Sequence, residues 1–265
     1  MSGTLTFNGT SAASFGLKIG SVEPYSGPVQ SMKTYNVPGR IGEVLPRTDL
    51  SQIPNQIITY DAALYMKNAT DSAVAKRMAQ IRKWLLSPKG YQVLMDSYDP
   101  DVYRRAYLVG DIVPTRKGAG QSFSMKLSFS CDPRRFIRNV TPIELEGASV
   151  TVATPTTING YSVANQAKPL IQFSWSGTAK FVIKKHNKST VIGSIELANN
   201  TDNPRDIWFD AETLNATYDE AGTQNANSLI ANVTGEIRLG PEAMDLSWEY
   251  GAVADAIITQ RYWTR

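Results

Sequence analysis

Apolar residues recur at every second position through most of this chain and at helical spacing only once, so the fold must be built of strands. The clearest case is Gln121 to Ser130, where Phe123, Met125, Leu127 and Phe129 point one way and Ser122, Ser124, Lys126 and Ser128 the other. That pattern predicts a strand with one buried face. Its expected partner is Tyr103 to Val113, joined through Pro114 to Gly120 as a hairpin. Tyr91 to Ser97 reads as another strand, ending at the turn Asp99-Pro100-Asp101. Val29 to Val37 and Ile57 to Met66 read as strands too, the first followed by a tight reversal over Val37 to Glu43.

The one helical period lies in Ala69 to Leu86. Val74, Met78, Ile81 and Leu85 recur at spacings of four, three and four, Thr70 or Asp71 can cap the start, and Ser87-Pro88-Lys89-Gly90 ends the run. The other face carries Lys76, Arg77, Arg82 and Lys83. A basic helix without interleaved aromatics is read as a solvated or protein-contacting face rather than a nucleic-acid surface.

Beyond Cys131-Asp132-Pro133-Arg134-Arg135-Phe136 no helix is expected. Candidate strands are Ile143 to Val152, Pro169 to Trp175, Ala179 to Lys184, Thr190 to Leu197, Asp206 to Asp210, Gly235 to Leu239, Ala243 to Tyr250 and Asp255 to Trp263. Short strands at this spacing predict a β-sandwich. With 265 residues the chain exceeds the roughly 250 at which one core tends to divide. The expected domains are therefore 1–137, mixed and β-rich with one helix, and 138–265, a β-sandwich; the class is mainly β.

The residues that do chemistry are scarce. There is one cysteine, Cys131, and one histidine, His186, so neither an internal disulfide nor a zinc site of several Cys and His ligands can form. A nucleophile system of the Ser/His/Asp kind would have to recruit His186, which sits in the polar turn Lys184-Lys185-His186-Asn187-Lys188. Phosphate-binding loops and the Gly-x-Ser-x-Gly elbow are absent. Carboxylate pairs such as Asp96, Asp99 and Asp101, or Asp210 and Glu212, could be drawn for a glycosidase, but Asp-Pro-Asp is read as turn chemistry. Cys131 continues the apolar face of its strand and is read as a small buried hydrophobe. No catalytic, cofactor or metal residue is assigned, and an enzyme is not expected. The net charge is only +3, from 27 basic and 24 acidic residues, which argues against a dedicated nucleic-acid binder. Neither a secretory signal nor a membrane-spanning run of ~18 apolar residues is seen, so synthesis and folding in a cytoplasm are expected.

Aromatic residues in the second half leave a rival reading open. Trp175, Trp208, Tyr218, Trp248, Tyr250, Tyr262 and Trp263 could stack on sugars, which would make the chain a carbohydrate-binding adhesion module recognising host cell-wall sugars on Trp208 or Tyr218. Trp175 follows Ile171 and Phe173 at period two, however, and core packing is the expectation for it and for Trp208 and Trp248.

Taken in order, several segments resemble the distal tail protein family of long-tailed bacteriophages, often called Dit. They are Leu5-Thr6-Phe7-Asn8-Gly9, Ser14-Phe15-Gly16-Leu17, Val37-Pro38-Gly39-Arg40-Ile41-Gly42, Ile81-Arg82-Lys83-Trp84-Leu85, Tyr98 to Ala106 and Phe123 to Pro133. In the second half come Pro169-Leu170-Ile171, Ile207 to Glu212, Leu239 to Trp248 and Gln260 to Trp263. The resemblance implies a structural virion protein at the distal end of the phage tail, with a split β-barrel-like first domain carrying a helix and a hairpin, and a galectin-like second domain. It implies a hexameric ring hub joining the major tail protein of the tail tube to the baseplate, tail tip or tail-associated lysin, with a receptor-binding protein as a further partner in some relatives. No large insertion is seen in the second domain, so direct receptor binding is not expected. DNA would pass through the lumen without specific binding, because each phosphate contact adds salt-dependent affinity. Lys76, Arg77, Arg82 and Lys83 would then face a protein neighbour or the exterior.

Overall fold

Each of two compact units, Met1–Phe136 and Ile137–Thr264, encloses its own apolar core. The computed structural model describes residues 3–22, 54–117, 122–146, 149–153, 157–159, 161–162, 167–200, 206–219, 224–240, 242–250 and 253–264. The expected strand Val29 to Val37 and the reversal Val37 to Glu43 lie outside the described residues.

The first unit contains β1 (Leu5–Phe7), β2 (Thr10–Ser11), β3 (Leu17–Val22), β4 (Gln56–Tyr65), α1 (Asp71–Leu86), β5 (Gln92–Asp96), β6 (Val102–Val109), β7 (Thr115–Arg116) and β8 (Ser122–Ile137). Its sheet runs β2-β1-β5-β6-β8-β4-β3, and β7 pairs with β8. Period two decides which side chains go inside: Met125, Leu127, Phe129 and Cys131 are buried along β8, and Ile58, Tyr60, Ala62 and Leu64 along β4. Phe123 is only half-buried. The expected partnership of β6 with β8 holds, since the two are neighbours in the sheet. Two details shift: the strand predicted to reach Val113 ends at Val109, and within the connection the short β7 also pairs with β8, through Thr115↔Ser124 and Arg116↔Phe123. Strand β8 continues through Asp132-Pro133-Arg134-Arg135, beyond the Ser130 at which the sequence pattern ends it.

Helix α1 starts where the cap allows, with Thr70 Oγ1 accepting from the Ala73 amide at 3.2 Å. Asp71 in its first turn and Lys83 in its last suit the helix dipole. Val74, Met78, Ile81 and Leu85 are buried as their spacing predicts, and Trp84 joins them. The Trp84 indole donates to the Phe7 carbonyl at 3.0 Å and its ring stacks on Phe15, which ties the helix to the start of the chain.

The second unit contains β9 (Ile143–Glu146), β10 (Ser149–Val152), β11 (Thr157–Ile158), β12 (Tyr161–Ser162), β13 (Leu170–Lys185), β14 (Val191–Asn200), β15 (Ile207–Asp210), β16 (Asn215–Thr217), β17 (Ile230–Gly235), β18 (Met244–Tyr250) and β19 (Val253–Thr259). Two ladders face the core. One is β16-β15-β13-β19-β9 and the other β10-β18-β13-β14-β17, so β13 belongs to both. Residues Leu170 to Ser176 pair with β15 and β19, and from Gly177 onward the strand pairs with β14 and β18. Gly177 has φ +69°, which lets the strand turn from one ladder to the other without ending. The two strands predicted at Pro169 to Trp175 and Ala179 to Lys184 are therefore one. Conversely, the single strand expected over Ile143 to Val152 is two, because β9 pairs with β19 and β10 with β18. The strand expected at Gly235 to Leu239 lies earlier, as β17, since Gly235 takes φ +72° and ends it.

A local strain sits in the β15–β16 turn. Leu214 has φ +57° and is exposed, its amide donating to the Asp210 carbonyl at 2.8 Å. A branched side chain loses about 1–2 kcal/mol in that conformation. Leu214→Gly is expected to raise the stability of this unit by about 1 kcal/mol or less, since glycine's greater freedom in the unfolded chain offsets part of the relief. Calorimetry would check it, an unchanged or lower melting temperature counting against the strain.

Candidate functional site

The only histidine is not an isolated surface group. His186 is exposed, at the turn after β13, yet its Nδ1 lies 2.8 Å from Asp245 Oδ1 on β18, and Thr151 Oγ1 on β10 donates to that same oxygen at 2.6 Å. The Thr151 bond and the His186 contact hold the Asp245 carboxyl below its ordinary range. The backbone follows suit, the His186 amide donating to the Ala243 carbonyl at 3.0 Å. The order of groups is that of a strand-end clasp. In a nucleophile system the hydroxyl faces the imidazole nitrogen remote from the carboxylate, whereas here hydroxyl and imidazole Nδ1 converge on one carboxylate oxygen.

The acidic residues considered for paired-carboxylate chemistry separate into different roles. Asp96 and Asp99 are buried in the first unit. Asp96 Oδ1 accepts from the amides of Tyr98 and Asp99 at 2.9 and 3.0 Å, and its Oδ2 accepts from Tyr60 at 2.5 Å. Arg104, itself buried, places Nη1 3.7 Å from Asp96 and Nη2 3.7 Å from Asp99, while Arg135 donates to Asp99. Burial and the Asp96 carboxylate push the Tyr60 phenol well above its ordinary range, so it remains a donor. Both carboxylates are thus occupied by structural partners. In the second unit Asp210 Oδ1 accepts from Arg261 and from the Glu212 amide, each at 2.8 Å, which closes the β15 turn.

Cys131 is fully buried beside this cluster, and burial pushes its thiol up to about 12. It stays protonated and inert at neutral pH.

The four basic residues of α1 do not share one stripe. At about 100° per residue, Lys76 and Lys83 stand together opposite the core, and both are exposed. Arg77 and Arg82 fall on opposite flanks. Arg77 is half-buried, and Arg82 Nη2 donates to the Ile112 carbonyl at 3.4 Å.

The aromatics also divide. Trp175 and Tyr262 are buried at 1% exposure, as core packing requires. Trp248 is half-buried between Phe173 and Phe181, with ring centroids at 5.8 and 5.6 Å, and Tyr218 packs against the same core. Trp208 differs, for its neighbours Ile207 and Phe209 are the buried ones, and it projects half-exposed from the outer face of β15. The expectation of core packing fails there because period-two alternation puts Trp208 on the face opposite Ile207 and Phe209, and those two fill the core. The short-range signal for this was present in the Ile-Trp-Phe-Asp order.

No protein-family model matches the sequence, and no curated protein matches it. Solved structures do. The SPP1 Dit protein (gp 19.1), described as a paradigm of the hub adsorption apparatus in phages that infect Gram-positive hosts, superposes with a TM-score of 0.64 at 15% identity over 99% of each chain. A chain of the phage p2 baseplate in its activated conformation with Sr gives 0.59 at 11% identity over 97% of each chain. The corresponding baseplate with Ca gives 0.59 at 12% over 98%. At such identities the likeness speaks for the path of the backbone and not for any side-chain site. The protein therefore has the mainly-β fold of the SPP1 Dit protein along nearly its whole length.

Proposed function

We propose that the protein is a structural hub at the distal end of a phage tail, assembled as a ring of six copies that joins the tail tube to the baseplate, tail tip or tail-associated lysin. The observation that carries this reading is the shared fold over 99% of both this chain and the SPP1 Dit protein, both units included. The side chains support it. The groups most able to do chemistry, namely Asp96, Asp99, Asp210, Asp245 and Cys131, are engaged in holding strands together or sealed in the core. In this reading the first unit forms the ring through heterologous contacts that close by rotation, and the galectin-like second unit faces outward. Lys76 and Lys83 face a neighbouring protein or the exterior, where they add no friction to DNA moving through the lumen.

Negative-stain microscopy with mass measurement tests the ring. Six-fold particles of six times the 29.1 kDa chain mass are expected. A chain that stays monomeric at about 10 μM, and that also fails to bind tail tubes assembled from the major tail protein, would overturn the hub reading.

A further inference from the structure

We propose that the outer face of the β16-β15-β13-β19-β9 ladder is a binding site for a neutral sugar ring, centred on Trp208. Cross-strand register places Trp208 beside Gln172, Gln172 beside Ile257, and Ile257 beside Glu144. Next to this row a groove of about 370 Å³ opens, lined by Glu144, Gln172, Asp206, Asp255 and Ile257. That volume is in the range of small-ligand sites. Leu145 and Ala256, buried at 2%, form its floor.

Three features select the ligand class. Trp208 is a partly exposed indole on the outer face of β15, because its strand neighbours Ile207 and Phe209 fill the core, and an indole so placed suits stacking on an apolar ring face. Gln172 Nε2 donates to Asp206 Oδ2 at 3.0 Å, which fixes an amide and a carboxylate side by side as acceptors for adjacent hydroxyls. Among the described residues the groove lining holds three carboxylates and neither lysine nor arginine, which repels phosphate- or carboxylate-bearing polymers. A metal ion is a poorer fit, because among the described residues the carboxylates do not gather into a metal-holding group. A neutral pyranose satisfies all of these at once. The site stands independently of the ring, since it lies within the second unit.

The test uses the whole chain labelled with 15N at its five tryptophan indoles, the Trp208 signal being assigned by Trp208→Phe. Methyl α-glucoside, methyl β-galactoside and N-acetylglucosamine are the neutral probes, with polygalacturonate as the anionic one. At least one neutral probe is expected to shift the Trp208 signal saturably, with Kd on the order of 1 mM. Gln172→Ala and Trp208→Ala, read by saturation transfer with melting temperature unchanged, should each weaken that binding about tenfold or more. Should Trp208→Ala fold poorly, Asp255→Ala gives the same reading from an exposed position. Absence of any shift with all three neutral probes at about 50 mM, equal affinity in the variants, or preference for polygalacturonate would each overturn the proposal. Six-fold rings are scored separately by microscopy, so failure of the sugar site leaves the hub reading to stand or fall alone.

Discussion

Arg104→Ala is expected to destabilise the first unit by about 3–5 kcal/mol, because it leaves the buried carboxylates of Asp96 and Asp99 without the cation that lies between them. For a unit of this size that corresponds to a melting temperature lower by on the order of 10 °C. Arg135 still reaches Asp99, but among the described residues Asp96 keeps only neutral donors, namely Tyr60 and two backbone amides. The physical cause can be separated from lost packing by a second substitution. Asp96→Asn in the Arg104→Ala background removes the charge that lost its partner and should restore part of the stability. Calorimetry of the two variants decides it: no recovery in the double variant would mean that Arg104 acts by filling space rather than by neutralising charge.

Gly235→Ala should be the most damaging small change in the second unit. Gly235 has φ +72°, and a Cβ there would be driven into the Ile192 carbonyl, with Gly193 Cα only 3.1 Å away. That carbonyl accepts from the Glu236 amide at 3.1 Å, so displacing it also breaks the bond that ends the β14–β17 pairing. Backbone strain of about 1–2 kcal/mol and a lost hydrogen bond of about 1 kcal/mol give an expected cost of about 2–3 kcal/mol. Gly177→Ala is the internal comparison. Its φ is +69°, but a Cβ would meet nothing within 4 Å, so only the backbone strain applies. Urea unfolding of the two variants should rank Gly235→Ala clearly below Gly177→Ala. Equal losses would show that the close approach at Ile192 relaxes at no cost.

The same two sites mark the limit of what could be read in advance. Asp99-Pro100-Asp101 was legible as a turn, and it is one. That Asp96 and Asp99 would be buried was not legible, since their stabilising cations come from β6 and the far end of β8, and only the folded sheet brings those strands together. Gly177 and Gly235 share a left-handed backbone, at φ +69° and +72°. One ends its strand and the other carries a strand of sixteen residues from one ladder into the next. What separates them is the partner available on the far side, a property of neighbouring strands.

The candidate site follows the same division. His186 in a polar turn was readable, but its pairing with Asp245 depends on β18 lying beside β13. Trp208 was singled out as an aromatic of interest, with burial as the expectation. Its neighbours Ile207 and Phe209 take the core face of β15, opposite Ile171 and Phe173 of β13, so alternation sends Trp208 outward.

By itself the sequence determined the mainly-β class, the single helix with its Thr70 cap and its buried Val74, Met78, Ile81 and Leu85, and the inward face of β8. These are local properties, fixed by the spacing of apolar residues along one element. The tertiary structure decided which strands merge at Gly177 and which split between β9 and β10. It also decided how buried charges are matched and which aromatic faces water. Those depend on contacts between residues far apart in the chain, whose energies are comparable to the local preferences they override.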